Sequence, residues 1–159
     1  MPRDNYEEIG SIYLRIDKAG IKNLGKKNIE IVSVEIKRHK ITNNAIQQAM
    51  RYYDFSHKVY IASPYKPSKN IAENLRNLGL GFLLINCKEK KIKEIIKPCL
   101  NTPKENIIIY WLNNCFRVYR CRICHNFIRK DKVKEHSFRV IKMSKGKFEI
   151  TVLCNNCEE

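Results

Sequence analysis

Apolar and polar positions alternate most clearly over "IEIVSVEIK", residues 29–37, where Val34 and Ile36 take one side of an extended chain and Glu35 and Lys37 the other. The preceding "DKAGIK" and the turn "NLGKKN", in which Gly25 is free to take a positive φ, extend this into a predicted hairpin over residues 17–37. The period then changes. Residues 43–54 predict a helix opened by Asn43 or Asn44, with Ala45, Ile46, Ala49, Met50 and Tyr53 near one side. "KVYIAS" predicts a short buried strand, and "KPSKNIAENLRNLG" a second helix with Ser68 as its cap and Gly79 as its stop. "LGFLLIN" follows as another strand. This alternation of strands and helices predicts an α/β layer fold with parallel crossovers. Beyond Lys90, "KKIKEIIKP" reads as a short basic helix and "KENIIIYWLNN" as a helical or extended segment packing on the body.

The length of 159 residues suits one compact domain with a small appended module. The boundary is expected near residue 117, giving a first domain over 1–116 and a second over 117–159. Lys and Arg number 31 against 16 Asp and Glu, a formal charge of +15. Such an excess favours a polyanionic partner, because each phosphate met by Lys or Arg releases condensed counterions. Nucleic acid, DNA foremost, is the expected partner. No long basic amphipathic helix argues for a membrane surface, no apolar run is long enough to span one, and "MPRDNYEEIG" lacks the apolar segment of a secretory signal. A cytoplasmic protein is expected, in which CxxC pairs read as metal ligands before disulfides.

Within the hairpin, Glu35 and Lys37 place a carboxylate beside an ammonium on one strand face. Burying both costs several kcal/mol unless they are paired or ligate a metal (roughly that much per ion). Folding symmetrically about Lys26 sets Asp17 opposite Glu35, whereas Asp4, Asp54 and Asp131 fall elsewhere. Two carboxylates across a ladder suit a hard cation such as Mg²⁺ or Mn²⁺, which lowers the pKa of bound water and offsets charge developing on phosphate. Lys37 is then placed to orient or deprotonate the attacking water. The constellation suits phosphodiester hydrolysis.

Asp17 followed by Glu35-Ile36-Lys37 resembles the core motif of the PD-(D/E)xK nucleases, the restriction-endonuclease-like superfamily that includes RecB-type nucleases and archaeal Holliday-junction resolvases. "QAMRY", Gln48 to Tyr52, is similar to the Q-x3-Y element of RecB-type members, with Gln47 as an adjacent alternative. The resemblance covers about residues 9–86. It implies a mixed sheet flanked by helices, Asp17 and Glu35 as Mg²⁺ or Mn²⁺ ligands, and Lys37 and Gln48 as further catalytic groups. Tyr52 would contact substrate, Arg38 would join it, and a homodimer would be in keeping with relatives. The chain departs from the family in having "RID" where a proline often precedes the aspartate, and only residues 1–16 before the metal-binding hairpin. "NYEEIG" is read as a reduced first helix, from which Glu7 or Glu8 would supply an extra carboxylate.

Cys121-x2-Cys124 and Cys154-x2-Cys157 make two metal knuckles, each at the end of a strand-like run, separated by the predicted hairpin "SFRVIKMSKGKFEITVL". The module resembles a zinc ribbon, with four thiolates holding a structural Zn²⁺; an iron-sulfur cluster is the alternative. His125 and His136 are read as surface or supporting residues, and Cys87, Cys99 and Cys115 as small buried hydrophobes. Basic residues crowd the last third, Lys145 and Lys147 among them, so Arg120 and Arg122 are expected to grip substrate. His39 and His57 are expected to face solvent or cap, and Trp111 to pack. "SPYKPSKN" lacks the glycines of a phosphate-binding P-loop.

The whole predicts a metal-dependent deoxyribonuclease with a zinc ribbon that aids substrate binding. Two other classes compete with it. One is an inactive nucleic-acid-binding or assembly protein on the same scaffold; the other is a zinc-stabilised protein-interaction module.

Overall fold

A computed structural model of the chain describes residues 5–9, 12–142 and 148–158. It is a mixed α/β protein divided into two compact units. One takes the chain up to residue 20 and then 31–103; the other takes 21–30 and everything from 104 onward.

The first unit is built on a sheet in which β3 (Lys18–Lys22), β4 (Glu30–Ile36), β5 (Lys58–Ser63), β6 (Gly81–Asn86) and β7 (Lys91–Ile96) lie side by side in chain order. β4 pairs parallel with β5, and β5 with β6; β6 and β7 are antiparallel, with a register irregularity at Phe82/Leu83. The two parallel steps are made by α1 (Asn43–Met50), continued by a 3-10 turn over Arg51–Asp54, and by α2 (Lys69–Asn77). Ile31, Ala45, Ile46, Ala49, Val59, Ile61, Leu75, Leu80 and Phe82 form its core.

Local chemistry explains the element ends. The α1 cap is Thr42, whose Oγ1 accepts from the Ala45 N–H at 3.4 Å, and not Asn43 or Asn44, which already lie within the helix. Ser68 caps α2, accepting from the Ile71 N–H at 3.3 Å. Gly79, at φ 73°, ends that helix: its N–H reaches the Arg76 carbonyl, and the Leu80 N–H reaches that of Leu75 at 2.9 Å. Gly25 takes φ 90° in the hairpin turn, as the sequence predicts.

Two segments differ from expectation. Residues 91–96 are strand β7, not a basic helix; spacing that suits a helical stripe at Ile92, Ile95 and Ile96 is overridden by main-chain pairing with β6. Residues 5–9 form strand β1, not a reduced helix, pairing antiparallel with β2 (Ile12–Ile16), so no helical carboxylate arises from Glu7 or Glu8. The side chains of those two residues lie outside the described atoms.

In the second unit, α3 (Glu105–Trp111) runs into a wider π turn over Leu112–Phe116. A sheet of order β10-β11-β8-β9 follows, made of β8 (Val118–Cys121), β9 (Phe127–Arg129), β10 (Arg139–Lys142) and β11 (Phe148–Val152). β10 and β11 form the anticipated hairpin, while β11 and β8 run parallel. This unit begins at residue 104 and not near 117, because α3 buries Ile108, Ile109 and Trp111, the last against Phe116 with ring centres 4.5 Å apart. It also includes the tip of the β3–β4 hairpin: the Gly25 N–H donates to the Phe127 carbonyl at 2.7 Å, and the Phe127 N–H to that of Lys26 at 3.0 Å. Among the described residues no helix is long and apolar enough to cross a membrane.

Candidate active site and cysteine metal centre

From Val32 to Ile36 the burial of β4 runs opposite to its apolar pattern. Ile31, Ser33 and Glu35 are buried, while Val32 and Val34 are partly covered and Ile36 is exposed. The polar side therefore faces inward and needs internal partners. Ser33 Oγ meets Ser56 Oγ at 2.5 Å. Glu35, only 4% exposed, has both oxygens engaged: Oε1 lies 2.6 Å from Lys37 Nζ, and Oε2 accepts a short hydrogen bond from the Tyr52 hydroxyl. Lys37 Nζ also donates to Gln48 Oε1 at 2.6 Å.

Each partner arrives by a simple route. Lys37 sits at the carboxyl end of β4, where its N–H donates to the Ala62 carbonyl of β5 at 2.8 Å. Gln48 lies in α1, and Tyr52 is brought in by the 3-10 turn that continues it. Asp17, just before β3, is exposed, and its Oδ2 accepts from the Ile36 N–H at 2.8 Å. The hairpin thus brings it beside Glu35. Burial, then the bond to Glu35 and the nearby Glu35 and Asp17 charges, push the Tyr52 pKa well above the usual phenol range. Tyr52 stays a proton donor at any ordinary pH.

Asp17, Glu35, Lys37, Gln48 and Tyr52 accordingly converge at one end of the sheet. Tyr52, at 1% exposure, is a buried support for Glu35 and has no surface to offer a substrate. Arg38 is exposed beside the cluster. Arg120 is engaged within its own unit, Nε and Nη2 meeting the two oxygens of buried Glu149 at 2.9 and 3.0 Å and Nη1 meeting Glu105 at 2.7 Å. Arg122 Nη1 donates to the Ser137 carbonyl at 2.8 Å. Both arginines therefore have structural work irrespective of any substrate.

Asn101 Nδ2 donates to the carbonyls of Tyr53 and Ser56 at 2.6 and 2.9 Å and so fixes the chain leaving the 3-10 turn. No local signal marks it, since its partners are more than forty positions away. His57 is likewise engaged, its Nδ1 accepting from the Ile31 N–H at 3.0 Å, while His39 is exposed. Cys87 and Cys99 are exposed and Cys115 is partly so, which overturns their reading as buried hydrophobes. Trp111 packs as expected. Lys145 and Lys147 lie outside the described residues.

The second cluster is the cysteine set. The Sγ atoms of Cys121, Cys124, Cys154 and Cys157 all lie within 4.8 Å of one another, with Cys124 and Cys154 at 3.9 Å. A tetrahedral ion with Zn–S bonds near 2.3 Å needs sulfurs roughly 3.8 Å apart. The donor set fits a structural metal such as zinc. The first knuckle closes by the His125 N–H donating to the Cys121 carbonyl at 2.9 Å, with His125 at φ 61°; the second closes by Cys157 N–H to Cys154 at 3.1 Å. Burial would raise the Cys121 thiol, but backbone N–H groups of Cys124, Cys154 and Ile123 outweigh it and bring it down to about 6. Cys157, facing the Cys154 sulfur and the other two, is pushed up to about 12. Tyr119, Ile128 and Val152 pack beneath the cysteine set.

Compared with known proteins, the chain matches no family model, no curated protein and no solved structure. The fold and site define a mixed α/β protein with a four-cysteine cluster able to hold a metal such as zinc.

Proposed function

We infer that this protein is a divalent-metal-dependent nuclease acting on DNA phosphodiesters, on a restriction-endonuclease-like sheet with a zinc ribbon that aids substrate binding. The observation that supports this most is the inward carboxylate–lysine–glutamine chain at the carboxyl end of β4, with Asp17 delivered beside it by the hairpin. Asp17 and Glu35 offer hard oxygen donors suited to Mg²⁺ or Mn²⁺, which would supply Lewis-acid activation of water and charge neutralisation at phosphate. Lys37 orients the nucleophile and Gln48 holds its ammonium in place. Tyr52 fixes the Glu35 carboxylate from the buried side, and the chain's charge of +15 draws in a polyanion.

A second reading has one observation in its favour. Both Glu35 oxygens already have protein donors, so the carboxylate is satisfied without a metal, as it would be in an inactive nucleic-acid-binding or assembly protein on this scaffold.

The test is incubation of the zinc-replete protein with labelled single-stranded, double-stranded and branched DNA and with RNA, in Mg²⁺ or Mn²⁺, beside Glu35→Gln and Lys37→Ala. Cleavage by the parent that disappears in both variants is expected. If the parent binds but cuts nothing, the second reading replaces the first.

A further inference from the structure

The loop "SPYKPS", residues 63–68, joins β5 to α2 and leaves the sheet at the same end as Lys37. The link is direct. The Ala62 carbonyl takes the Lys37 N–H, and Ser63 Oγ donates to the His39 carbonyl at 2.9 Å, tying this loop to the one that follows β4. Tyr65 stands on it with its side chain half exposed, at 50%. Its backbone is well held: the Tyr65 N–H donates to Ser63 Oγ at 3.2 Å, and Pro64 and Pro67 bracket it, each fixing φ. Arg38 and Lys40 on one loop and Lys66 and Lys69 around the other are all exposed.

We propose that Tyr65 is a stacking platform for an unpaired nucleobase, with Arg38, Lys40, Lys66 and Lys69 taking the flanking phosphates. A planar ring held on a rigid loop loses little entropy when a base covers it, and every base offers a π-face. Duplex bases have their faces covered by their neighbours, so the platform selects a single strand, a flap or a frayed end. This deepens the nuclease reading and rests on it for the site, by naming unpaired strand beside the cluster as the substrate class.

The experiment measures binding, not cleavage. Fluorescence anisotropy of the full chain in Ca²⁺ would follow labelled single-stranded DNA, single-stranded RNA and blunt duplex DNA, for the parent, Tyr65→Ala, Tyr65→Phe and Lys66→Ala. Tyr65→Ala should weaken single-strand binding about tenfold, with Tyr65→Phe near the parent and duplex binding little changed. The salt dependence should stay the same in Tyr65→Ala and become shallower in Lys66→Ala, because only the lysine releases counterions. An equal loss on DNA and RNA single strands supports recognition of the base face irrespective of the sugar. Unchanged single-strand binding by Tyr65→Ala, or an equal loss on duplex, overturns the proposal while leaving any cleavage by the parent intact. Tyr65-dependent binding by a parent that never cuts upholds the platform and sinks the nuclease. No binding to any of the three probes overturns the platform, and the cleavage assay then decides the nuclease reading by itself.

Discussion

The carboxylate cluster of the first unit and the cysteine cluster of the second both hold ionisable groups at close quarters, and they do so by opposite means. Glu35 is neutralised by the protein itself, through Lys37 and Tyr52. The four thiols face chiefly one another across at most 4.8 Å, with backbone donors at Cys121 as the main relief. The buried charge of the first site is therefore offset when the chain folds, whereas the second is arranged so that a cation from outside can offset it. The lesson is that a metal should be dispensable for the fold of the first unit and indispensable for that of the second.

The largest effect expected is on the second unit. Cys154→Ser, or zinc removal by a strong chelator, should abolish its ordered amide spectrum and release stoichiometric zinc, since binding energies of about 10–16 kcal/mol in small zinc modules are folding energy. Retained dispersion in the first unit's amides would sharpen the contrast; collapse of both units together would break it.

A smaller loss is expected from Lys37→Ala, which leaves the Glu35 carboxylate buried with Tyr52 alone. A cost of about 3 kcal/mol, read from the urea midpoint, matches removal of one partner from a buried pair. Tyr52→Phe should cost about 2 kcal/mol, the scale of a hydrogen bond to a charged group. If either variant is neutral, the carboxylate is not held as described. Asn101→Ala should cost about 1 kcal/mol, because its amide serves two carbonyls that water can partly reach.

The smallest effect is one of pH. Burial and then the nearby Cys99 push the Tyr53 phenol from 10.0 up to about 12. A raised acid pKa favours the protonated form in the fold, so its contribution is complete below pH 10 and is lost as pH rises from 10 to 12. Denaturation midpoints across that window should fall, and Tyr53→Phe should flatten the fall.

Much of this was legible in the chain. Gly25, Ser68 and Gly79 announced a turn, a cap and a stop because each acts on its own backbone neighbours. The CxxC pairs announced their cluster because close spacing leaves thiols little choice of partner. The end of α1 was harder to place, as Thr42, Asn43 and Asn44 can all cap and only the backbone path selects among them. Lys91–Ile96 carries a helical stripe and became an edge strand because β6 lay open beside it. The resemblance makes Tyr52 a substrate residue; its burial depends on the 3-10 turn that carries its hydroxyl to Glu35.

By itself, then, the sequence determined the local elements, the hairpin that carries Asp17 to Glu35, and the four sulfurs that meet. Those features depend on contacts between near neighbours or on strongly matched residue types. Tertiary structure alone decided that the polar side of β4 faces inward, that Arg120 serves Glu149, and that the hairpin tip joins the cysteine-bearing unit. In each case the deciding partner lies far along the chain, and only packing brings it near enough for a buried charge or an open backbone group to be satisfied.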